Sequence, residues 1–120
     1  EVSTAVKYQA PAVWIVLNDG RYNMCYQGMF LLGLTGADAT IPQADFVAIA
    51  RGMGAEGIRV EQESELEAAL NRAMSLSGPV VVDVCIDAMR LAPSKGRNKS
   101  LSVQGVQATK SESQISFPLV

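Results

Sequence analysis

Hydrophobic residues along this chain form two unbroken runs, with stretches of helical spacing around them. The runs are "VWIVL" at residues 13–17 and "PVVVDVCI" at residues 79–86. A strand with one face in water would alternate apolar and polar residues, so both runs predict strands that are buried on both faces. A shorter apolar stretch at residues 57–60 predicts a third strand.

Helical spacing of apolar residues predicts four helices. Pro11 ends the first helix and Gly54 follows the third as a stop. The sequence Ser64-Glu65-Leu66-Glu67 has the spacing of a capping box and predicts the start of the fourth. The predicted helices are residues 1–8, 24–32, 44–53 and 64–77.

The elements alternate in the order helix, strand, helix, helix, strand, helix, strand. This order predicts an α/β domain with a parallel sheet and helices on both faces. In such sheets ligands bind beyond the carboxyl ends of the strands. Asn18-Asp19-Gly20 directly follows the first strand, so it lies at the end where a ligand is expected.

The composition changes near residue 90, where Ser, Lys, Gly and Gln become frequent and no long period remains. We therefore divide the chain into residues 1–88, the α/β part, and residues 89–120, an extended C-terminal tail. The tail is either solvated or ordered against a partner subunit, and its basic residues could form a binding site. These are Arg90, Lys95, Arg97, Lys99 and Lys110.

Composition and charge exclude several classes of protein. Hydrophobic residues make up 48% and charged residues 18%, which excludes a disordered chain. The net charge is −2 with no basic block, which argues against nucleic-acid binding. No apolar run approaches the roughly 20 residues of a membrane span. Cys25 and Cys85 lie far apart in unlike contexts, so we expect reduced thiols and a cytoplasmic protein.

The chain has no histidine, which removes the commonest general base and transition-metal ligand. A Ser-His-Asp or Cys-His catalytic site cannot be built from this chain alone. Any chemistry must use carboxylates, amides, backbone groups or a bound cofactor.

Asn18-Asp19-Gly20 has two interpretations. Asp-Gly is a strong turn signal and needs no ligand. The cluster also supplies a carboxylate, an amide oxygen and backbone carbonyls, which are the hard oxygen ligands that Mg²⁺ or Ca²⁺ prefers. Mg²⁺ completes its shell with water and phosphate oxygens, so a diphosphate-bearing cofactor fits the second interpretation.

Two further positions are candidates for function. Met24 follows the polar loop, and Gln27 lies one turn further on the same predicted helix, where it could hydrogen-bond a ligand. Met29 and Phe30 are typical of a core. Asp83 is polar within an apolar strand, so it must be satisfied or neutral. We expect a structural role for Asp83, either capping a helix or bonding a basic residue.

The segment "EVSTAVK" before the strand and the motif "LNDGRYNM" at residues 17–24 resemble the cofactor-binding domain of thiamine-diphosphate-dependent enzymes. They are most similar to the acetolactate synthase group. The stretch "ADFVAIARGMGAEGIRVEQESELEAALNRAMSLSGPVVVDVCID" resembles the rest of that domain, so the similarity covers about residues 1–88. The implied fold is the thiamine-diphosphate-binding α/β fold, here as a partial domain.

The resemblance implies the roles of individual residues. In this family a Gly-Asp-Gly begins the motif and an Asn-Asn pair ends it; Asn18 and Asp19 stand at the pair, with Asp19 in place of the second Asn. The implied Mg²⁺ ligands are the Asp19 side chain and the Arg21 carbonyl, with another ligand before Glu1. The implied cofactor-binding residues are Asn18, Asp19, Gly20, Arg21, Tyr22, Asn23, Met24 and Gln27.

The implied substrate pocket contains Gln27 and Gly28. Acetolactate synthases carry a tryptophan at the position of Gly28, so the glycine suggests room for a bulkier acceptor or donor. The implied reaction is decarboxylation of a 2-oxo acid followed by carboligation to a second carbonyl, which is transferase or lyase chemistry. The alternatives are a simple 2-oxo acid decarboxylase and a non-catalytic assembly or regulatory module.

The resemblance also implies what this chain lacks. The glutamate that activates the cofactor belongs to a separate N-terminal domain, usually of a second subunit in a homodimer or homotetramer. No catalytic residue is therefore expected within residues 1–120, and the chain alone should be inactive. The start at "EVSTAVK" reads as the middle of a helix, which suggests a piece of a longer protein.

Overall fold

The secondary structure follows the predicted order. The computed structural model describes residues 1–31, 33–34 and 38–90. Its elements are α1 (Val2–Tyr8), β1 (Val13–Asn18), α2 (Asn23–Leu31), α3 (Phe46–Gly52), β2 (Glu56–Val60), a 3₁₀ turn (Glu63–Glu65), α4 (Leu66–Ser75) and β3 (Val80–Cys85). The described residues divide into two compact units, residues 1–19 with 43–86 and residues 20–42 with 87–90.

The first unit contains a parallel sheet. Among the described residues it has three strands in the order β1-β3-β2, so the last strand in sequence is central. Val13 and Glu56 both lie level with Val80, and Asn18 lies level with Cys85. Because the strands run parallel, their carboxyl ends share one edge of the sheet, as predicted for a ligand-binding α/β fold.

Helices cover both faces of this sheet, which confirms the predicted architecture. On one face Ala69 and Ala73 of α4 pack on alternate residues of β3. On the other face α1 and α3 contribute Val2, Val6 and Ala50. The strand residues beneath α4 are Val60, Val80, Val82 and Val84, and those beneath α1 and α3 are Trp14, Val16 and Val81.

Gly57 allows α3 to approach β2 closely. A Cβ atom at this position would lie 2.9 Å from the Cα, Cγ1 and carbonyl oxygen of Val47. Two of those atoms belong to backbone, which cannot move aside as a flexible side chain can. The missing side chain of Gly57 therefore sets the distance between this helix and the sheet.

The prediction that both apolar strands are buried on both faces is correct for β3 and wrong for β1. Val80, Val81, Val82, Asp83 and Val84 are all buried. In β1, Ile15 is 52% exposed and Leu17 is 66% exposed. These side chains are exposed because β1 is an outer strand of the described sheet, whereas α4 packs on β2 and β3.

The predicted capping box at Ser64 and Glu67 is also wrong. The box is formed two residues earlier, with Gln62 as the N-cap and Glu65 as its partner. The Glu65 carboxylate accepts a hydrogen bond from the Gln62 backbone at 3.1 Å. The same three-residue spacing is thus used by a different pair, because a 3₁₀ turn precedes α4 and places Ser64 inside it.

The second unit contains α2, which begins one residue before the predicted start. In the same unit Asp87, just after β3, closes a short turn. Its side chain accepts from Met89 N at 2.8 Å, and its carbonyl accepts from Arg90 N at 3.1 Å. Residues 91–120 hold nearly all of the predicted tail, including Lys95, Arg97, Lys99 and Lys110; they lie outside the described residues.

Within the described part of the chain, no helix has the length and apolar character of a membrane span.

Candidate functional site

A row of polar side chains crosses the first unit near the carboxyl ends of its strands. Asp83 in the central strand accepts a hydrogen bond from Asn18 Nδ2 of β1 at 3.0 Å to Oδ1. Its other oxygen, Oδ2, lies 3.1 Å from Arg59 Nη1 of β2. Arg59 Nε in turn contacts Glu61 Oε1 at 2.8 Å. One carboxylate therefore links all three strands.

Asp83 has the charged partner that a carboxylate within an apolar strand requires. Its side chain is fully buried, and a buried carboxylate is costly unless it is paired and hydrogen-bonded. The contact with Arg59 confirms the expectation that Asp83 bonds a basic residue, rather than capping a helix. The contact with Asn18 was not predicted, since sequence spacing does not show that these two residues meet.

Arg59 and Glu61 are the residues of this row that no sequence motif indicated. The hydrogen bond from Arg59 to Glu61, with electrostatic attraction from Asp83, raises the pKa of the Arg59 guanidinium above its usual value. Arg59 therefore stays positively charged at any physiological pH. A basic residue in a strand that also contains buried positions was the signal that could have identified it.

Asp19 and Gly20 form the turn that the Asp-Gly sequence predicts. Gly20 has a φ of 67°, a left-handed conformation that favours glycine. Both residues are half-buried, and Asp19 directly follows the last residue of β1. The boundary between the two units lies between them, so the predicted cofactor-binding residues are divided between the units.

In the second unit, backbone pairing holds the residues that follow this turn. Arg21 and Thr40 form an antiparallel bridge, and Tyr22 N donates to Ala39 O at 2.9 Å. The Arg21 guanidinium lies 5.4 Å from the centre of the Tyr26 ring, within cation–π range. The Arg21 main chain is therefore held in an ordered segment.

Asn23 is the first residue of α2 and carries an unsatisfied buried atom. Its side chain is 8% exposed, and Nδ2 donates to Ala88 O at 2.9 Å. Within the described residues, Asn23 Oδ1 is buried without a hydrogen-bond partner. A buried unpaired acceptor typically costs about 1–3 kcal/mol.

The remaining predicted site residues lie along α2. Met24 is 66% exposed, while Gln27 and Gly28 are half-buried. Met24 and Gln27 are three residues apart in one helix, so their side chains lie on neighbouring parts of its surface, as predicted. Tyr22, just before the helix, is 63% exposed.

Within the described residues, no group of three or more His, Cys, Asp or Glu side chains could hold a metal ion. This finding does not bear on the predicted Mg²⁺ site, which draws on one carboxylate and one backbone carbonyl. The described cysteines, Cys25 and Cys85, are not disulfide-bonded.

These features define an α/β domain with polar groups collected at the carboxyl ends of parallel strands. Residues 1–84 match the family model of the thiamine pyrophosphate enzyme C-terminal TPP binding domain, and the chain belongs to that family. Thiamine pyrophosphate is the thiamine diphosphate of the resemblance described above, which is therefore confirmed.

Individual relatives agree with this family. The chain is 39% identical over 88 residues to acetolactate synthase of Bacillus subtilis, covering 72% of this chain and 15% of that protein. It is 37% identical over 82 residues to benzoylformate decarboxylase of Pseudomonas aeruginosa, covering 68% of this chain and 16% of that protein. It is 33% identical over 88 residues to the mitochondrial acetolactate synthase catalytic subunit of Saccharomyces cerevisiae, covering 72% of this chain and 13% of that protein. The chain thus spans about one sixth of these relatives or less.

Proposed function

We propose that the chain is the C-terminal part of a thiamine-diphosphate- and Mg²⁺-dependent enzyme that decarboxylates a 2-oxo acid and joins the acyl unit to a second carbonyl. The observation that carries this proposal is the position of Asn18-Asp19 at the carboxyl end of β1, in a chain of the thiamine pyrophosphate enzyme family. The acetolactate synthases among its relatives support the carboligation step.

The available donor groups suit Mg²⁺ and a diphosphate. Asp19 supplies a carboxylate, and Arg21 supplies a backbone carbonyl two residues further along the chain. Both are hard oxygen ligands, and Mg²⁺ typically binds one or two carboxylates while keeping water and phosphate oxygens. We assign Asp19 and Arg21 as the metal ligands that this chain contributes.

The remaining cofactor-binding residues are assigned mainly to α2, the helix that follows the Asp19–Arg21 segment. Asn23 begins this helix directly after the turn, and its side chain is held by a hydrogen bond to Ala88 O. Met24 offers exposed apolar surface at the start of α2, and Gln27 offers an amide one turn further along. Gly20 and Tyr22 complete the cofactor-binding set, and Gln27 with Gly28 forms this chain's share of the substrate pocket.

The cofactor supplies the carbanion chemistry, and this part of the protein binds and orients it. The group that activates the cofactor is assigned to another part of a longer polypeptide in a homodimer or homotetramer. This division agrees with the small fraction of each relative that the chain spans. Residues 1–120 alone are therefore expected to be inactive.

The test is a thermal unfolding measurement on the full-length protein, with and without cofactor. Ligand at 100 times its dissociation constant stabilises the folded state by about 2.7 kcal/mol. Thiamine diphosphate with Mg²⁺ should raise the unfolding temperature, and thiamine diphosphate with a metal chelator should raise it less. No shift at saturating cofactor would contradict the proposal and favour a non-catalytic module.

A simple 2-oxo acid decarboxylase is the second candidate. The observation that favours it is the similarity to a benzoylformate decarboxylase. Release of CO₂ from a panel of 2-oxo acids, measured with and without an aldehyde or 2-oxo acid acceptor, separates the two. A carboligase forms a new carbon–carbon bond with the acceptor, whereas a decarboxylase releases the aldehyde.

A further inference from the structure

The Asp83 carboxylate contacts the strand end that carries the proposed metal-binding loop. In register, Asp83 lies level with Val16 of β1 and Arg59 of β2. The Asn18 side chain, two residues beyond Val16, reaches back to Asp83 Oδ1 at 3.0 Å. The central strand therefore holds the residue that directly precedes Asp19.

This contact fixes the orientation of the Asn18 amide. An ionised carboxylate only accepts hydrogen bonds, so the amide nitrogen of Asn18 must face it. Asp83 is fully buried, so water does not compete for this position. The backbone adds a second restraint, since Ile86 N donates to Asn18 O at 2.9 Å. Asn18 is thus tied to residues at the end of β3 by both its side chain and its main chain.

Arg59 supplies the counter-charge on the other side of the Asp83 carboxylate. Its Nη1 lies 3.1 Å from Asp83 Oδ2, on the oxygen that Asn18 does not use. The Arg59 side chain is 41% exposed, so its charge is partly solvated while the carboxylate is not. The pair gives Asp83 a counter-charge without occupying the oxygen that faces β1.

We propose that Asp83 is a positioning residue for Mg²⁺-diphosphate binding. It acts through Asn18, holding the end of β1 so that the Asp19 carboxylate is presented to the metal. This inference rests on the proposed function. It assigns a binding role to a buried residue of the central strand, with Arg59 as its supporting counter-ion.

The test compares two substitutions at neighbouring positions of β3 in the full-length protein. Asp83→Asn changes the group facing Asn18, because an amide that accepts from Arg59 turns its nitrogen toward Asn18. The Asn18 amide must then rotate and accept from that nitrogen, so it loses its present orientation. Val82→Ala is the matched control, since Val82 is also fully buried but packs on the opposite face with α4. The measurement is calorimetric titration of Mg²⁺ into protein saturated with thiamine diphosphate.

Loss of a group that orients a metal ligand typically weakens metal affinity about 10- to 100-fold. Asp83→Asn should therefore raise the Mg²⁺ dissociation constant about 10-fold or more. Val82→Ala should lower the unfolding temperature without cofactor yet leave the Mg²⁺ affinity within about 2-fold of wild type, because it removes packing alone. Equal Mg²⁺ affinity in both variants would overturn the proposal.

A second pair of variants decides the question if Asp83→Asn does not fold. Arg59→Gln removes the counter-charge at a partly exposed position and should weaken Mg²⁺ binding about 3- to 10-fold, less than direct loss of the carboxylate. Arg59→Lys keeps the charge and should restore most of the affinity. Unchanged affinity in Arg59→Gln would overturn the proposal. Failure of the wild-type protein to bind cofactor and Mg²⁺ would instead overturn the proposed function.

Discussion

Asn18 at the end of β1 and Asp83 in β3 are joined by a 3.0 Å hydrogen bond across 65 residues of sequence. The bond links the outer strand to the central strand of the sheet, at the edge where parallel α/β folds bind ligands. It therefore ties the residue that precedes Asp19 to the central strand.

Removing Arg59 should destabilise the fold more than an ordinary surface substitution does. Arg59→Ala leaves the Asp83 carboxylate buried without its counter-charge. Breaking a buried ion pair from one side costs about 3–5 kcal/mol, and we expect about 3 kcal/mol here because Arg59 is partly exposed. Urea unfolding at neutral pH measures this loss.

Glu61→Gln is the control for that measurement. It removes the other partner of Arg59, in a contact whose side chains are 41% and 64% exposed. Exposed ion pairs contribute about 0–1 kcal/mol, so this variant should unfold close to wild type. If both variants lost the same free energy, the buried carboxylate would not be the source of the effect.

Gly57→Ala should destabilise the contact between α3 and β2. The added methyl would lie 2.9 Å from backbone atoms of Val47, so the helix or strand must shift. Overpacking of this kind typically costs about 1–3 kcal/mol in the free energy of unfolding. Thermal or urea unfolding of the variant measures it.

Gly52→Ala is the matched control, at the end of the same helix. A Cβ there meets no atom within 4 Å, so no clash arises. Replacing a helical glycine by alanine typically stabilises by about 0.5–1 kcal/mol. The two substitutions should therefore have opposite signs, and destabilisation of equal size in both would refute the packing argument.

Asp19→Ala should abolish retention of thiamine diphosphate and Mg²⁺ by the full-length protein. The substitution removes the carboxylate assigned to the metal at a half-buried turn position. Asp19→Asn keeps an oxygen ligand and should retain cofactor with lower Mg²⁺ affinity. Gel filtration followed by cofactor quantification distinguishes the variants.

Asp38→Asn is the control for that experiment. Asp38 is an exposed carboxylate that accepts hydrogen bonds from Thr40 and has no assigned role in metal binding. Cofactor retention should equal that of wild type. Retention by Asp19→Ala at the wild-type level would remove Asp19 from the metal site.

The turn at Asp38 should stabilise the protein in a pH-dependent way. Hydrogen bonds from the Thr40 hydroxyl and backbone lower the pKa of Asp38 below 3.8. The unfolded state then binds the proton more readily, so stability rises with pH through this region. The contribution is complete above about pH 3.8 and is lost as the pH falls through the folded-state pKa.

Thr40→Val tests this dependence. It removes the hydroxyl, which is the larger cause of the shift, and keeps the backbone donor. The pKa of Asp38 should rise toward 3.8, measured by NMR titration of its carboxyl carbon. A pKa unchanged by the substitution would show that the hydroxyl bond does not form in solution.

Much of the architecture could be predicted from the sequence because its signals are local. The run from Val80 to Val84 is apolar at nearly every position, which predicts a buried parallel strand, and it is the central one. Gly54 follows α3 with a φ of 87°, the left-handed conformation expected of a helix stop. The motif at residues 17–24 identified the family without any structural information.

Other features could not be predicted, since they depend on distant residues. Val13–Leu17 is as apolar as β3, yet Ile15 and Leu17 are exposed. The reason is that β1 is an outer strand of the described sheet, while α4 packs on β2 and β3. The Gln62–Glu65 capping pair has the same spacing as the one predicted, and the path of the chain into α4 selected it. Composition alone did not indicate either outcome.

The sequence by itself determined the order of the elements, the α/β class and the family, because periodicity, turn residues and a short motif are properties of neighbouring residues. The tertiary structure decided which strand is central and which residues meet at the carboxyl ends. It brought Asn18 and Arg59 to opposite oxygens of Asp83. Strand register sets those contacts, and register depends on how segments far apart in the chain pack together.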